Sequence, residues 1–433
     1  MERKILKQIK QWKQRPDRMP LILNGARQVG KTYAALMFGK QEYKNTAYFS
    51  MEDSQDVTRI FEQDFNIDRI ISELAAQSRQ TILKEDTLII LDEIQASERA
   101  LLSLKYFCEN APKYHIIAAG SLLGVALNRE KYSFPVGKVD MMTLYPLDFE
   151  EFLWATENRE LASLIQKAYD AFSEFSLHNT TMDLYRQYLA TGGMPRAVSE
   201  FIEKQDYNFV ASVLQTINDT YIADMAKYAT PNETTKIMAV FNSIPSQLAK
   251  ENRKFQYKVI KSGARASAYE VAIDWLRASG VIIKCTKVKE GIMPIKASED
   301  MDSFKIYLTD TGLLSLKLGI PANAILTNTI PSDATRGALA ENYVASALTM
   351  AGYKPHYWES DGKAEIDFVV QDKQGDVIPV EVKSADNVKS KSLNVFMNKY
   401  DAVYAIRVSQ KNFGFENKII SIPLYAVWCL RPD

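Results

Sequence analysis

Two stretches of the chain combine residue types that handle phosphate. Gly25-Ala26-Arg27-Gln28-Val29-Gly30-Lys31-Thr32 fits the pattern G-x-x-x-x-G-K-[ST] at every fixed position. Its glycines let the backbone curl so that successive N–H groups face a triphosphate. Lys31 then reaches the β- and γ-phosphates, and the Thr32 hydroxyl ligates Mg²⁺. Farther along, Thr87-Leu88-Ile89-Ile90-Leu91 is an apolar run ending in Asp92 and Glu93. Asp92 would hold Mg²⁺ through water and Glu93 would polarise the attacking water. A strand ending in acids is common, and the glycine loop upstream is what gives this one meaning. A glycine-rich turn without a ligand is the alternative for the loop.

Tyr114-His115-Ile116-Ile117-Ala118-Ala119 reads as a further strand, followed by Gly120-Ser121. Ser121 would sit between the two phosphate-handling elements and sense the γ-phosphate; a simple turn serine is the other reading. Arg129 and Arg196 are the candidate arginines for the γ-phosphate, each with a plain surface role as its alternative.

A second constellation lies near the C-terminus. Ala364 to Val370 alternates, Asp372-Lys373-Gln374-Gly375-Asp376 is a turn, and Val377 to Lys383 returns. Alternation puts Ile366 and Phe368 on one face, with Val380 and Val382, and Glu365, Asp367, Glu381 and Lys383 on the other. Two carboxylates, Asp367 and Glu381, can hold Mg²⁺, and Lys383 beside them can orient or activate a water for phosphodiester hydrolysis. Glu341, on a helix read from Arg336 to Met350, is placed to approach the same group. A solvated sheet face with cross-strand charge pairs explains the hairpin equally well. Pro379 favours an edge position for the second strand.

These groups need elements to hold them. Met19 to Leu23 reads as a buried strand entering the glycine loop, and Lys31 to Gly39 as a helix whose N-terminus adds a positive field. Residues 1 to about 155 alternate strands and helices, the pattern of a parallel α/β sheet. Residues 156–228 read as helices forming a lid over the nucleotide, with Gly192-Gly193 as a break. From 229 onward come a helix at 237–248 and a second marked by Ala268, Val271, Ala272, Trp275, Leu276 and Ser279. Strands at 281–283 and 304–308 follow, which together suggest a winged helix. Lys250, Arg253, Lys254, Lys258, Lys261 and Arg265 crowd the approach to the second helix and suggest DNA contact. Glu270 and Asp274 on that helix argue against it, and winged helices also serve as packing modules.

The chain has 433 residues, enough for two or three domains. At 46% hydrophobic and 24% charged, with 53 basic and 53 acidic residues, it has no global field to drive it onto nucleic acid or membrane. Cys108, Cys285 and Cys429 show no metal spacing and read as reduced thiols in a cytoplasm. His115, His178 and His356 are scattered. No apolar run approaches a membrane span, and no signal-peptide core opens the chain. Residues 2–15 form a basic amphipathic segment with Ile5, Leu6, Ile9 and Trp12 at helical spacing, which could touch phosphates but is expected to pack on the nucleotide-binding core.

Taken together, these residues resemble the prokaryotic AAA-superfamily P-loop ATPases that carry a C-terminal domain of unknown function, related to the archaeal-type ATPases. The resemblance covers nearly the whole chain. It rests on residues 25–32, Leu91-Asp92-Glu93-Ile94-Gln95, Ala119-Gly120-Ser121-Leu122-Leu123-Gly124, Phe134-Pro135-Val136-Gly137, Gly192-Gly193-Met194-Pro195-Arg196, Asp310-Thr311-Gly312-Leu313-Leu314, and Glu365-Ile366-Asp367 with Glu381-Val382-Lys383. It implies an α/β fold with a P-loop core at 1–155 and a helical lid at 156–228. A winged-helix-like segment at 229–320 and a PD-(D/E)xK nuclease-like domain at 321–433 would follow. It implies ATP and Mg²⁺ as ligands. Asp367, Glu381 and Lys383 match the metal-binding and catalytic positions of the nuclease-like fold, and Glu341 matches its helix-borne acid. Pro195 matches a lid position that packs near the base. DNA, a protein partner and a homo-oligomer are left open, as is cleavage against nucleotide-dependent switching.

Overall fold

The computed structural model describes residues 1–121, 134–250, 252–360, 364–384 and 391–432, and the chain divides into two compact units. Residues 1–145 with 278–280 form the first; 146–277 and 281–433 form the second. Arg129, and Leu122-Leu123-Gly124 of the resemblance, lie outside the described residues.

The first unit is built on five parallel strands: β1 (Leu21–Asn24), β2 (Asn45–Ser50), β3 (Thr87–Asp92), β4 (His115–Ala119) and β5 (Asp140–Thr143). Their order is β2-β3-β4-β1-β5. Every residue of β3 and β4 is buried, as expected of inner parallel strands covered on both faces. Ile22, Ile89, Leu91, Ile116 and Ala118 join the helices 55–63, 67–78 and 98–110 in one apolar core. The N-terminal helix Ile5–Gln14 buries Ile5, Ile9 and Trp12, and Trp12 Nε1 donates to Met19 O at 2.8 Å. It therefore packs on this unit as the periodicity predicts. Just before it, Arg3 is 5% exposed and donates to Val29 O at 2.8 Å and Tyr145 O at 2.7 Å.

The second unit begins with helices Phe149–Ala155, Arg159–Ala171, His178–Thr191, Pro195–Lys204, Tyr207–Tyr228 and Pro231–Leu248. The helical reading of 156–228 and its break at Gly192-Gly193 agree with this. Eight strands follow: β6 (Ile282–Val288), β7 (Glu299–Leu308), β8 (His356–Glu359), β9 (Glu365–Gln371), β10 (Val377–Val382), β11 (Ala405–Ser409), β12 (Gly414–Glu416) and β13 (Ile419–Pro423). They form a single sheet in the order β12-β13-β11-β10-β9-β8-β6-β7. Helix Asp333–Met350 packs on β6, β7 and β10 and buries nearly all of its C-terminal two thirds.

Three expectations are corrected here. The β6–β7 hairpin, expected as a wing, is not a free appendage: β6 pairs in parallel with β8 from Thr286↔His356 to Val288↔Trp358. Helix Glu270–Ala278 presents a different face from the one its spacing suggests. Val271 is 64% exposed and Ile273 is buried, because Ala268 lies in a preceding 3₁₀ turn and the helix starts only at Glu270. Finally, β10 is an inner strand between β9 and β11, not an edge. Pro379 is tolerated because the parallel ladder to β11 begins one residue later, at Val380↔Ile406, so the missing N–H breaks no pairing there.

Asp310 ties two of the resemblance motifs together. Its carboxylate caps helix Thr311–Lys317 through Leu313 N at 2.9 Å and accepts from Gly193 N at 2.7 Å. Burial pushes its pKa up to about 6, against the pull of those backbone donors. No described helix is long and apolar enough to cross a membrane.

Candidate nucleotide site and C-terminal acid cluster

The glycine loop runs from the end of β1 into helix Lys31–Glu42. Gly25 sits at φ 142° and Gly30 at φ 92°, in the region that disfavours side chains. A Cβ on Gly25 would lie 2.1 Å from Leu144 O, so the loop's tight entry requires glycine. Gly30 is the helix N-cap, and Gln28 takes φ 65° between them. Lys31 is buried, with Nζ donating to Gly25 O at 3.0 Å and Ala26 O at 2.8 Å. The ammonium thus lies across the concave side of its own loop, where phosphate oxygens would replace those carbonyls as acceptors.

The strand order brings the other parts together. β4 separates β1 from β3, and all three end on the same side of a parallel sheet, where ligands of such sheets bind. Thr32 Oγ1 donates to Asp92 Oδ2 at 2.8 Å. The two motifs read separately in the sequence therefore meet directly. Hard oxygen donors of this kind fit Mg²⁺, which is held by one or two carboxylates, waters and the substrate's phosphates. The backbone N–H of Glu93 donates to Asp92 Oδ1 at 3.1 Å.

Glu93 takes the left-handed conformation, φ 49° and ψ 44°, which is strained for a non-glycine residue and turns the chain out of β3. Its Oε2 accepts from Gln95 Nε2 at 2.5 Å and lies 3.5 Å from Ser121 Oγ. Ser121 is buried and stands just past β4, between the two motifs.

Two contributors were not singled out from sequence. Tyr48, on β2, donates its hydroxyl to Asp92 Oδ2 at 2.9 Å, and burial together with Asp92 raises its pKa. Gln95 holds Glu93. Nothing local marks Tyr48, since it reaches Asp92 only through the β2–β3 register, in which Ser50 pairs Asp92 and Tyr48 pairs Ile90. Arg27 is half-buried in the loop. Pro195 and Arg196 open helix Pro195–Lys204 in the second unit, with Arg196 exposed.

In the second unit the C-terminal hairpin forms as read. The β9–β10 register runs from Val377↔Gln371 to Val380↔Phe368, so that Asp367 and Glu381 follow directly on its last pair. Asp367 Oδ2 accepts from Val382 N at 2.8 Å, and Lys383 Nζ lies 2.9 Å from Glu381 Oε1. Glu381 is 3% exposed, while Glu365, Asp367 and Lys383 on the same face are half-buried.

Glu341 is buried and engaged by Arg253, read from sequence as part of the basic stretch, and by Lys305, which was not singled out. Arg253 Nη1 donates to Glu341 Oε1, and Tyr307 OH donates to Oε2 at 3.1 Å. Lys305, fully buried on β7, lies 2.6 Å from Glu365 Oε1 and 3.9 Å from Glu341 Oε2. Burial and the nearby Asp367 carboxylate push Glu341 up to about 7, while Lys305 and Arg253 oppose them. For Lys305, burial works downward, but Glu341, Glu365 and Asp367 outweigh it and raise the pKa. Among the described residues no group of three or more His, Cys, Asp and Glu side chains is placed to hold a metal ion. The metal role read for Glu341 thus meets a guanidinium already on that carboxylate.

The same ion pairs change the basic stretch. Arg253 is spent on Glu341, and Lys254 pairs with Glu359. Lys250, Lys258, Lys261 and Arg265 remain exposed.

Comparison with known proteins divides the chain in three. Residues 17–153 match the model of an AAA domain. Residues 182–324 match a domain of unknown function (DUF8612), and 336–426 match another (DUF4143). No curated protein is matched. Among solved structures, the Walker-type ATPase of Pyrococcus abyssi is similar at 11% identity over 73% of this chain and 95% of its own, with a TM-score of 0.46. The ORC2 protein of Aeropyrum pernix, in ADPNP and ADP complexes, is similar at 12% identity over 73% of this chain and 89% of its own, TM-score 0.39. The RuvB Holliday junction branch migration motor of Thermotoga maritima is similar at 15% identity over 65% of this chain and 89% of its own, TM-score 0.30.

Proposed function

We infer that the chain carries an AAA-type P-loop nucleotide-binding domain, a reading that the match of residues 17–153 and the loop geometry support together. We propose that it binds ATP with Mg²⁺ and hydrolyses it. The observation that carries this is the Thr32–Asp92 hydrogen bond of 2.8 Å, which unites the two motifs at the strand ends. Lys31 and the loop N–H groups of 25–30 hold the phosphates, and Thr32 and Asp92 hold Mg²⁺, which would neutralise phosphate charge. Glu93 activates water, Gln95 and Ser121 orient Glu93, and Tyr48 steadies Asp92.

Lys31→Ala is expected to weaken ATP binding at least tenfold. Glu93→Gln is expected to retain binding while lowering turnover about a hundredfold or more, the usual scale for a lost general base. Binding by a fluorescent ATP analogue and phosphate release measure the two separately. Normal turnover in Glu93→Gln would remove that residue from its role.

For the second unit, a nucleotide-dependent switch that binds DNA or a protein partner without cleavage is favoured by one observation: Arg253 occupies the Glu341 carboxylate. Metal-dependent phosphodiester hydrolysis by Asp367, Glu381 and Lys383 is the second reading, and rests on their proximity, with Glu381 buried and Asp367 and Lys383 half-buried. Labelled single- and double-stranded DNA with Mg²⁺ or Mn²⁺, with and without ATP, separates them. Cleavage that disappears in Lys383→Ala decides for the nuclease; salt-dependent binding without cleavage decides for the switch.

A further inference from the structure

A small cavity of about 40 Å³ lies in the second unit, bordered by helices His178–Thr191 and Asp333–Met350. Tyr185, Arg186 and Arg336 line it, with Leu189, Ile330 and Leu339 among its apolar walls. Among the described residues no carboxylate lines it.

Tyr185 is 2% exposed, yet its hydroxyl has no hydrogen-bond partner among the described residues. A buried hydroxyl left unpaired opposes folding, so in a native protein it points to a bound water or ion. Its surroundings favour the ion. Arg186 pairs with Asp183 at 2.6 Å, and Arg336 with Asp333 and Ile330 O. A guanidinium has five N–H donors in a planar fork, so these contacts leave donors over on both residues. Two guanidiniums and a hydroxyl, with Asn328, Ser384 and Gln410 also in the lining, suit an acceptor-rich anion, bound by charge-assisted hydrogen bonds. The volume suits one oxyanion group.

We propose that this cavity binds a phosphate group, either free or at the end of a nucleic-acid strand. The proposal does not depend on the ATPase reading, and the test removes the glycine loop from the measurement. Full-length chain carrying Lys31→Ala, in buffer free of phosphate and sulfate, is dialysed to equilibrium against labelled inorganic phosphate. One phosphate per chain is expected. Adding Tyr185→Phe or Arg186→Gln to that background is expected to weaken binding about tenfold or more. Competition by a 5′-phosphorylated oligonucleotide, and not by its 5′-hydroxyl counterpart, assigns the strand end as the source. Competition by neither assigns free phosphate. Without phosphate, Tyr185→Phe should melt at or above the parent's temperature, because the hydroxyl has no partner to lose. Three results overturn the proposal: no stoichiometric binding, binding unchanged in both variants, or a Tyr185→Phe protein less stable than its parent in phosphate-free buffer.

Discussion

Asp92 illustrates how much of a site one motif leaves unsaid. Thr32 and Tyr48 both donate to its Oδ2, and the backbone of Glu93 donates to its Oδ1. Thr32 is legible because the loop pattern fixes its spacing from Lys31. Tyr48 is not, because only the pairing of β2 with β3 brings it there. Gln95 is closer in sequence but equally silent, since its contact depends on the left-handed turn at Glu93. Replacing Gln95 by Leu removes the donor that holds the Glu93 carboxylate. With Glu93 as the proposed general base, misplacing it slows the chemical step more than substrate binding, so kcat is expected to fall roughly ten- to a hundredfold with little change in KM. Steady-state ATP hydrolysis reads this directly; an unchanged kcat would show that Glu93 needs no such support. Lys305 teaches a related lesson. The run Phe304-Lys305-Ile306-Tyr307 alternates, and a lysine sharing the tyrosine's strand face is the one available hint that the face is buried. The carboxylates that keep Lys305 charged come from residues 341 and 365, and no local pattern reveals them.

At the scale of elements, strands and helices were legible where periodicity was strong, and faces were misjudged where an end was displaced. β1, β3, β4, β9 and β10 lie within a residue or two of their expected places, because apolar runs bounded by turn residues mark strands well. Helix Glu270–Ala278 shows the opposite case: moving its start past Ala268 rotates which residues face inward, and Val271 ends exposed. β4 carries its own titratable group. His115 opens the strand, is 5% exposed and contacts Tyr43 OH at 2.7 Å. Burial, with Arg18 and Lys13 adding repulsion, lowers its pKa from 6.5 to about 4. Between those values the unfolded chain binds more protons than the folded one. Stability from this group is therefore full above pH 6.5 and is lost as pH falls toward 4, by on the order of 2–3 kcal/mol. Between pH 7.5 and pH 5 in urea unfolding the native chain should lose about that much more stability than His115→Gln, because the raised carboxyls of Asp310 and Glu341 contribute equally to both proteins. An equal pH dependence in both proteins would place the proton uptake elsewhere.

For the molecule as a whole, the least legible feature is the eight-stranded sheet. The hairpin of β6 and β7 and the strands β8 to β13 are separated by the helices 311–317, 322–326 and 333–350, and the sequence suggests a boundary near residue 320. Parallel pairing of β6 with β8 leaves no local trace, because a crossover of this length can dock on any free strand edge. The consequence is physical. A fragment of residues 321–433 would lose β6 from its place beside β8, exposing a row of unpaired backbone groups that templates aggregation. It would also lose Lys305, Tyr307 and Arg253, leaving the buried Glu341 without the donors that hold it. Removing the cations from a buried carboxylate is strongly destabilising, about 3–5 kcal/mol for a broken pair. The fragment 321–433 is therefore expected to be unfolded or aggregated, and 146–433, which retains the entire sheet, to unfold cooperatively. Circular dichroism and size-exclusion chromatography of the two fragments test this. A monomeric 321–433 with a sharp thermal transition would show that β9 to β13 and helix Asp333–Met350 suffice as a fold, and that the hairpin is an addition to the sheet.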